Sequence, residues 1–358
     1  MATEDDNAVP DHNMPSALGS DACDDIEEDD LVSSKSTQSS VRDTRVVREA
    51  QVPPDLHGSR FDQTAAVLFP DFSRSKLKEW IESGALTLDG AAVRPKVKVG
   101  VDQLLKLQAE LQPEVSWAGE NVALDIVYED EHVIVLNKPA GLVVHPAAGH
   151  AAGTLVNALI GYAPELELLP RGGIVHRLDK DTSGIMFVAR STLAHQSLVA
   201  QLAARSVKRE YAAVCLGALS GGGTVNAPIG RHPTARVKMA VVPGGKAAVT
   251  HYRLAERFGH YSHIAVNLET GRTHQIRVHM AHRKHPLVGD PVYGGRPKLP
   301  PGASARLVTM LREFPRQALH ARTLAFDHPA TGERVQFETD LPEDFEQLLT
   351  VLREEDLD

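Results

Sequence analysis

The sequence predicts an α+β protein. A small N-terminal module of two helices and a hairpin precedes a larger domain built on a mixed, largely antiparallel sheet. Three observations carry this. Apolar residues make up 42% of 358 residues, enough core for one large domain or two unequal ones. Beyond residue 124, β-rich runs and helical patterns mix without the regular strand–helix–strand rhythm of a doubly wound sheet. Upstream of them stands an isolated helix–helix–hairpin pattern.

Residues 1–50 are acidic and then Ser-rich (SSKSTQSS), too polar to bury a core of their own, so a disordered tail is expected through residue 55. The module then spans 56–110. GSRFDQTAAVLFPDF sets Phe61, Ala65, Val67 and Leu68 at near-helical spacing until Pro70 breaks the pattern. SRSKLKEWIESG opens on Ser73 as N-cap, closes on Gly84 as C-cap, and carries the stripe Leu77, Trp80, Ile81. ALTLDGAAV is two short alternating runs around Asp89-Gly90, a strong hairpin signal. Arg74, Lys76 and Lys78 cluster at the start of the second helix, where cations suit phosphate. Three cations by themselves fit a solvated helix face equally well.

LQPEVSWAGENVA, residues 111–123, reads as a linker, and the larger domain covers 124–350. Ile126-Val127 and Val133 to Leu136 are β-rich runs around an acidic turn, ending in the loop Lys138-Pro139-Ala140-Gly141. GTLVNALIGYA is helical, and SLVAQLAARSVKREYAAVCLG passes from helix into strand at Tyr211–Leu216. HIAVNLETGRTHQIRVHMAHRKHP reads as a strand (Ile264, Val266, Leu268), a Gly turn and a helix capped by Thr273. Residues 351–358 form an acidic tail.

The formal net charge of −9 is unevenly spread. Residues 1–30 hold eleven acids and no Lys or Arg, and the last five residues add four acids. Residues 31–353 carry 32 acids against all 38 Lys and Arg, a net of +6, which permits a polyanionic partner. Two cysteines, Cys23 and Cys215, exclude a disulfide framework or a Cys-rich zinc site. There is no signal pattern and no run of eighteen apolar residues, so a cytoplasmic protein without a membrane span is expected.

The densest cluster of chemistry is GGIVHRLDKDTSGIM, Gly172 to Met186. Asp179, Asp181, Ser183 and Gly184 match the first positions of a calcium loop, but its twelfth position, a bidentate Glu, is here Arg190. His176-Arg177-Leu178-Asp179 approximates a kinase His-Arg-Asp, yet a Leu intervenes and no phosphate loop exists anywhere. Asp-Lys-Asp-Thr half-resembles the phosphorylated motif of ion pumps, which need membrane helices. A plain polar turn suits DKDTSG alone. The apolar runs GIVHRLD and GIMFVAR on either side instead mount the charges at the ends of core strands, as a site requires.

GIVHRLDKDTSGIM closely resembles the catalytic motif of the RluA/RluD-type pseudouridine synthases. NKPAGLVVHP, KREYAAV, ETGRTHQIRVHMAHRKHPLVGDPVYGG and RQALHA follow in the family's order, and the module, with Arg60 and Asp62 before SRSKLKEWI, resembles the S4-type RNA-binding domain. The resemblance covers residues 56–350 and is closest to RluD-type members. It implies that a uridine in RNA loses its N1–C1′ bond, turns, and rejoins through C5, with no metal or cofactor. It assigns the catalytic carboxylate to Asp179, as nucleophile on C1′ or base on the C2′ proton. Both roles need an ionised carboxylate, which a neighbouring cation favours; by the motif that cation is Arg277. Tyr211 corresponds to the tyrosine stacked on the uracil, and Arg177 to the arginine that helps flip the nucleotide. Arg74, Lys76 and Lys78 would bind RNA phosphates. Asp181 and Thr182 are expected to shape the loop by bonding backbone N–H groups, and His176 to be a structural or RNA-facing histidine, not a general base. Asn137-Lys138-Pro139 and His145-Pro146 are placed along the cleft. The implied partner is ribosomal RNA or the large ribosomal subunit, at the helix 69 stem-loop, and the protein a monomer. The alternatives are another ribosomal site, transfer RNA, or a non-catalytic RNA-binding assembly factor.

Overall fold

Main-chain pairing draws into the fold a stretch that composition assigns to the tail. The computed structural model describes residues 45–357, apart from 71, 73, 111–116, 147–151, 236–237 and 297–298. Its first element is β1 (Arg45–Gln51), followed by α1 (Phe61–Leu68), α2 (Arg74–Ser83), β2 (Leu86–Leu88) and β3 (Leu104–Glu110). β1 pairs antiparallel with β3 along its whole length, Arg45 opposite Glu110 and Gln51 opposite Leu104, giving the sheet order β1-β3-β2. The disordered-tail expectation is therefore corrected for 45–55, and the module starts at Arg45. Most β1 side chains are exposed, so they leave no core signal; the strand is held by β3's backbone and by buried Val52. Phe61, Leu77, Trp80, Ile81, Leu86, Leu105 and Leu107 are in the module's core, whereas Val67, placed at near-helical spacing with Phe61 and Ala65, is 59% exposed.

Asp89 and Gly90 both take left-handed φ, 49° and 76°, as a two-residue hairpin turn requires. Pairing ends at the Leu88–Ala91 bridge, so β2's ladder partner is β3 and the second hairpin run forms no strand. Gly84 takes φ +81° after α2; the Ser73 cap falls outside the described residues.

The larger domain contains β4 (Ile126–Glu129), β5 (Val133–Lys138), α3 (Leu155–Tyr162), β6 (Ser183–Ala189), α4 (Thr192–Ala203), β7 (Lys208–Leu216), β8 (Gly223–Asn226), β9 (Ile229–Arg231), β10 (Met239–Val241), β11 (Val249–Phe258), β12 (Tyr261–Leu268), α5 (Gln275–His282), α6 (Ala305–Glu313), β13 (Leu319–Asp327), β14 (Arg334–Glu338) and α7 (Glu343–Leu357). Nine strands form one sheet in the order β4-β5-β6-β13-β7-β12-β11-β8, with β14 also on β13; β9 and β10 pair separately. Every pairing in the sheet is antiparallel except β6 with β13. The mixed, largely antiparallel α+β architecture is the one the sequence predicts. All seven residues of β6 are buried, which puts the segment after the charged motif at the centre of the molecule.

Three further boundaries shift. Residues 117–122 are not a free linker. Trp117 packs on the core, Glu120 N–H donates to Asn157 O at 2.9 Å, and α3 approaches so closely that a Cβ on Gly161 would lie 2.2 Å from Glu120 O. The acidic C-terminal tail is the last turns of α7. Val351 and Leu352 are buried with Phe345, Leu348 and Leu349, while Glu355 accepts Ser304 N–H at 2.8 Å. Thr273 does not cap α5; His274 occupies the N-cap at φ 55°, and the Gln275 side chain accepts Arg272 N–H at 3.0 Å. Among the described residues no helix is long and apolar enough to cross a membrane.

Candidate active site

The charged motif is a loop that feeds β6. Its first half, Ile174 to Thr182, is not a strand, although Ile174 and Leu178 are buried; the expectation of two flanking strands holds only for GIMFVA. A 3-10 turn at Pro170–Gly173, with Arg171 and Gly172 in left-handed geometry, bends the chain away from the ladder. Thr182 N–H donates to Asp179 O at 3.0 Å, closing a turn at Lys180-Asp181. Gly184 then sits at φ 118° beside β13, where a Cβ would lie 2.2 Å from Ala321 O. Only glycine lets the motif enter the sheet this close to its parallel neighbour.

Two buried cations anchor this loop. Lys138 is fully buried and donates to Pro139 O, Leu142 O and Lys180 O at 2.8, 2.9 and 2.9 Å. Burial pulls its pKa down to about 8, against the pull of Asp179 and Asp181. Arg316 holds the Asp344 carboxylate with Nε and Nη2 at 2.6 and 2.7 Å and points Nη1 at the carbonyls of Asp181, Gln317 and Leu319. Gln317 donates to Thr182 Oγ1 at 3.1 Å. The shaping role expected of Asp181 thus runs through its carbonyl, and Thr182 is held by a side chain as well as by its own turn.

Sheet register brings the remaining residues to Asp179. Ala321 of β13 pairs with Gly184 on one side and Tyr211 on the other, and Tyr211 pairs onward with Val266 of β12. β12 leads through the Glu269–His274 turn into α5, which carries Arg277. Residues 98 positions apart consequently meet: Arg277 Nη1 donates to Asp179 Oδ2 at 2.9 Å. The other side of the guanidinium is gripped by Asp290, from Nε at 2.7 Å and Nη2 at 3.0 Å. Asp290, its side chain wholly buried, also accepts Val292 N–H and Tyr293 N–H at 2.8 and 2.9 Å. Burial opposes the charge on Arg277, but the bonds and attraction of Asp290 and Asp179 overcome it and raise its pKa. The Tyr293 ring lies 5.1 Å under the guanidinium. Asp179, with 18% of its side chain exposed, therefore presents one oxygen to a fixed cation and leaves Oδ1 without a hydrogen bond among the described residues.

Tyr211 is buried, and its hydroxyl pKa is raised by burial and by Asp179, against Arg209. Arg177 is exposed and makes no hydrogen bond or ion pair among the described residues, yet its charge is felt by His145 and His274. His176 accepts Phe187 N–H at 3.1 Å, and burial, then Arg209, pulls its pKa down to about 3, as befits a structural histidine. His145 sits 6.0 Å from Trp117 and is pulled to about 3 by burial, with Arg177 adding. The three cations of α2 are not a free basic face. Lys76 pairs with Glu79 at 3.0 Å and Lys78 with Glu82 at 3.7 Å, because acids follow at helical spacing; Arg74 is exposed. Sequence reasoning missed Asp290, Arg316, His274 and Tyr293. Asp290 and Tyr293 lie within the quoted HPLVGDPVYGG, but nothing local marks Asp290 as the partner of a helix arginine.

A family model described as RNA pseudouridylate synthase matches residues 132–282, the stretch from the start of β5 to the end of α5. Relatives half or more identical span most of the chain. The chain belongs to this family and is a pseudouridine synthase, an isomerase. More narrowly, it is 59% identical over 310 residues to the Ribosomal large subunit pseudouridine synthase D of Pseudomonas aeruginosa, covering 87% of this chain and 97% of that one. With the protein of the same name from Xanthomonas campestris pv. campestris the identity is 54% over 309 residues, 86% of this chain and 93% of that one. Among solved structures, Human RNA Pseudouridylate Synthase Domain Containing 4 aligns with a TM-score of 0.48 and 26% identity, over 64% of this chain and 93% of that one.

Proposed function

We propose that this synthase converts specific uridines of large-subunit ribosomal RNA, in the helix 69 stem-loop, to pseudouridine, with Asp179 as the catalytic carboxylate. One observation carries the assignment of Asp179: the buried Asp290–Arg277 pair fixes one of its oxygens at 2.9 Å and leaves the other without a hydrogen bond among the described residues. The substrate reading rests on relatives of 59% and 54% identity that bear a large-subunit name over nearly their whole lengths.

In this reading the target uridine leaves its helix and stacks against Tyr211 beside Asp179, the ring moving out of its buried place to meet it. Arg177, exposed and unpaired among the described residues, helps extrude the nucleotide and takes its vacated place. Asp179 Oδ1 either attacks C1′ or takes the C2′ proton as the N1–C1′ bond breaks. The freed uracil rotates and C5 bonds to C1′, which displaces Asp179 from C1′ or follows return of the proton to C2′; N1 takes up a proton as the C5 proton passes to solvent, so substrate and product are isomers. Arg277 balances the charge of Asp179 throughout. The N-terminal module, an S4-like domain in this reading, holds structured RNA through Arg74 and its neighbours Lys76 and Lys78. Their pairing with Glu79 and Glu82 reserves full phosphate contact for the bound state. The enzyme works as a cytoplasmic monomer.

Pseudouridine mapping of total RNA from cells with and without the gene tests the substrate. Loss of modification in helix 69 of the large-subunit RNA is expected; intact helix 69 with a site lost in transfer RNA would overturn the reading.

A further inference from the structure

Beside the open oxygen of Asp179 stands a histidine without an assigned role, His274. Its Nε2 lies 4.0 Å from Asp179 Oδ1, too far for a hydrogen bond. Its Nδ1 lies 2.8 Å from Tyr293 Oη. That hydroxyl already accepts Met239 N–H at 2.9 Å. Its own proton then has one acceptor among the described residues, His274 Nδ1. A neutral imidazole accepting at Nδ1 carries its proton on Nε2. The chain Met239 N–H, Tyr293 O–H, His274 thus aims an N–H donor at the open side of Asp179. Burial lowers the His274 pKa, and Arg277 and Arg177 add to this against Asp179 and Asp290, which favours the neutral ring. The backbone at His274 is held at φ 55°, a left-handed position uncommon for a residue with a side chain.

A gap of 4.0 Å between a donor and a carboxylate oxygen suits one hydroxyl. An oxygen placed between them can lie about 2.9 Å from both, accepting from one and donating to the other. Of the ribose hydroxyls, only the 2′-OH is next to C2′ and one bond removed from C1′, the two carbons Asp179 can act on. We infer that His274 Nε2 donates to the 2′-hydroxyl of the target ribose, which it shares with Asp179 Oδ1, and that the Tyr293 hydroxyl is the positioning group that fixes the His274 tautomer. This rests on the reading of Asp179 given above and adds a device by which the site distinguishes RNA from DNA at the reacting nucleotide.

The test uses the full chain and two otherwise identical helix 69 RNAs, with uridine or 2′-deoxyuridine at the target position, labelled with tritium at C5. Single-turnover kcat/KM is measured for wild type, His274→Ala, His274→Gln and Tyr293→Phe. On the ribose substrate His274→Ala should lose about tenfold, the worth of one hydrogen bond in a dry site. His274→Gln, whose amide nitrogen reaches the place of Nε2, should stay within about threefold of wild type. Tyr293→Phe keeps the ring beneath Arg277 but frees the tautomer, and should lose about fivefold. On the deoxy substrate wild type should lose about tenfold, with no further loss from His274→Ala or Tyr293→Phe. Equal losses on the two RNAs would overturn the inference and make His274 a structural residue. If wild type leaves the deoxy RNA unreacted, its inhibition constant is read instead: equal values for wild type and His274→Ala support the contact, and a weaker one for His274→Ala overturns it. Wild-type failure on the ribose RNA is a separate outcome, which would remove the functional reading itself.

Discussion

Asp290→Asn isolates the charge behind the Asp179–Arg277 pair. Asp290 accepts two bonds from the guanidinium and two from backbone N–H groups. Asparagine is nearly isosteric. Its oxygen can keep the place of Oδ1, which serves Arg277 Nη2, Val292 N and Tyr293 N, while its NH₂ faces Arg277 Nε, donor against donor. The loss is one charge-assisted bond, about 1.5–3 kcal/mol, plus a buried guanidinium left with a single carboxylate. Breaking buried pairs costs about 3–5 kcal/mol, and the retained bonds put this case near ~3 kcal/mol. For a domain of this size that lowers Tm by roughly 6–12 °C. Turnover should fall by about 10²-fold, because Arg277 is free to swing onto both oxygens of Asp179. The pH dependence has a definite sign. Burial raises the pKa of Asp290, but the Arg277 hydrogen bond and charge, with the two N–H groups, bring it below 3.8. A depressed carboxylate stabilises above its unfolded value and loses that contribution as pH falls through the folded one. The Tm gap between wild type and Asp290→Asn should be full at pH 5–8 and close below about pH 4. Thermal unfolding across this range, with turnover at pH 7.5, decides it; equal Tm values with wild-type turnover would refute the anchoring argument.

Three other outcomes follow from the same geometry. Lys138→Met leaves the carbonyls of Pro139, Leu142 and Lys180 without their donor, at about 1–3 kcal/mol for each buried acceptor; calorimetry should show a lower Tm together with lost turnover. Arg177→Ala removes an exposed side chain, so Tm should change by less than about 2 °C while turnover falls; unchanged kinetics would exclude Arg177 from nucleotide extrusion. Removal of residues 1–110 takes away a module whose core is its own; RNA affinity measured against salt should weaken and its slope flatten, and an unchanged slope would show that the module does not read phosphates.

Elements with local signals were legible in the sequence. The β4–β5 turn, α3, and the passage from α4 into β7 at KREY all emerge where periodicity predicts. β1 was missed because an exposed strand at a sheet edge carries its specificity in backbone pairing with a strand some sixty residues away. The end of α7 was missed because acids conceal Val351 and Leu352, two core residues within the run. At the site, the meeting of Asp179 with Arg277 was expected from the family motif and not from spacing. Asp290, Arg316 and Tyr293 lie within the quoted motifs, but no role was read for them: each acts through a partner elsewhere in the fold, and a buried ion pair leaves no local pattern of composition or period. The ion pairs of Lys76 and Lys78 on α2 were not foreseen because their cations were counted without the glutamates one turn later.

The central claim is that the open carboxylate oxygen of Asp179 performs the chemistry. Tritium release from C5-labelled large-subunit RNA by Asp179→Asn, beside wild type, measures this directly. The substitution keeps the shape of the side chain and an acceptor for Arg277. RNA affinity should remain within about threefold of wild type, with no tritium released above background. Release by Asp179→Asn at the wild-type rate would contradict the account.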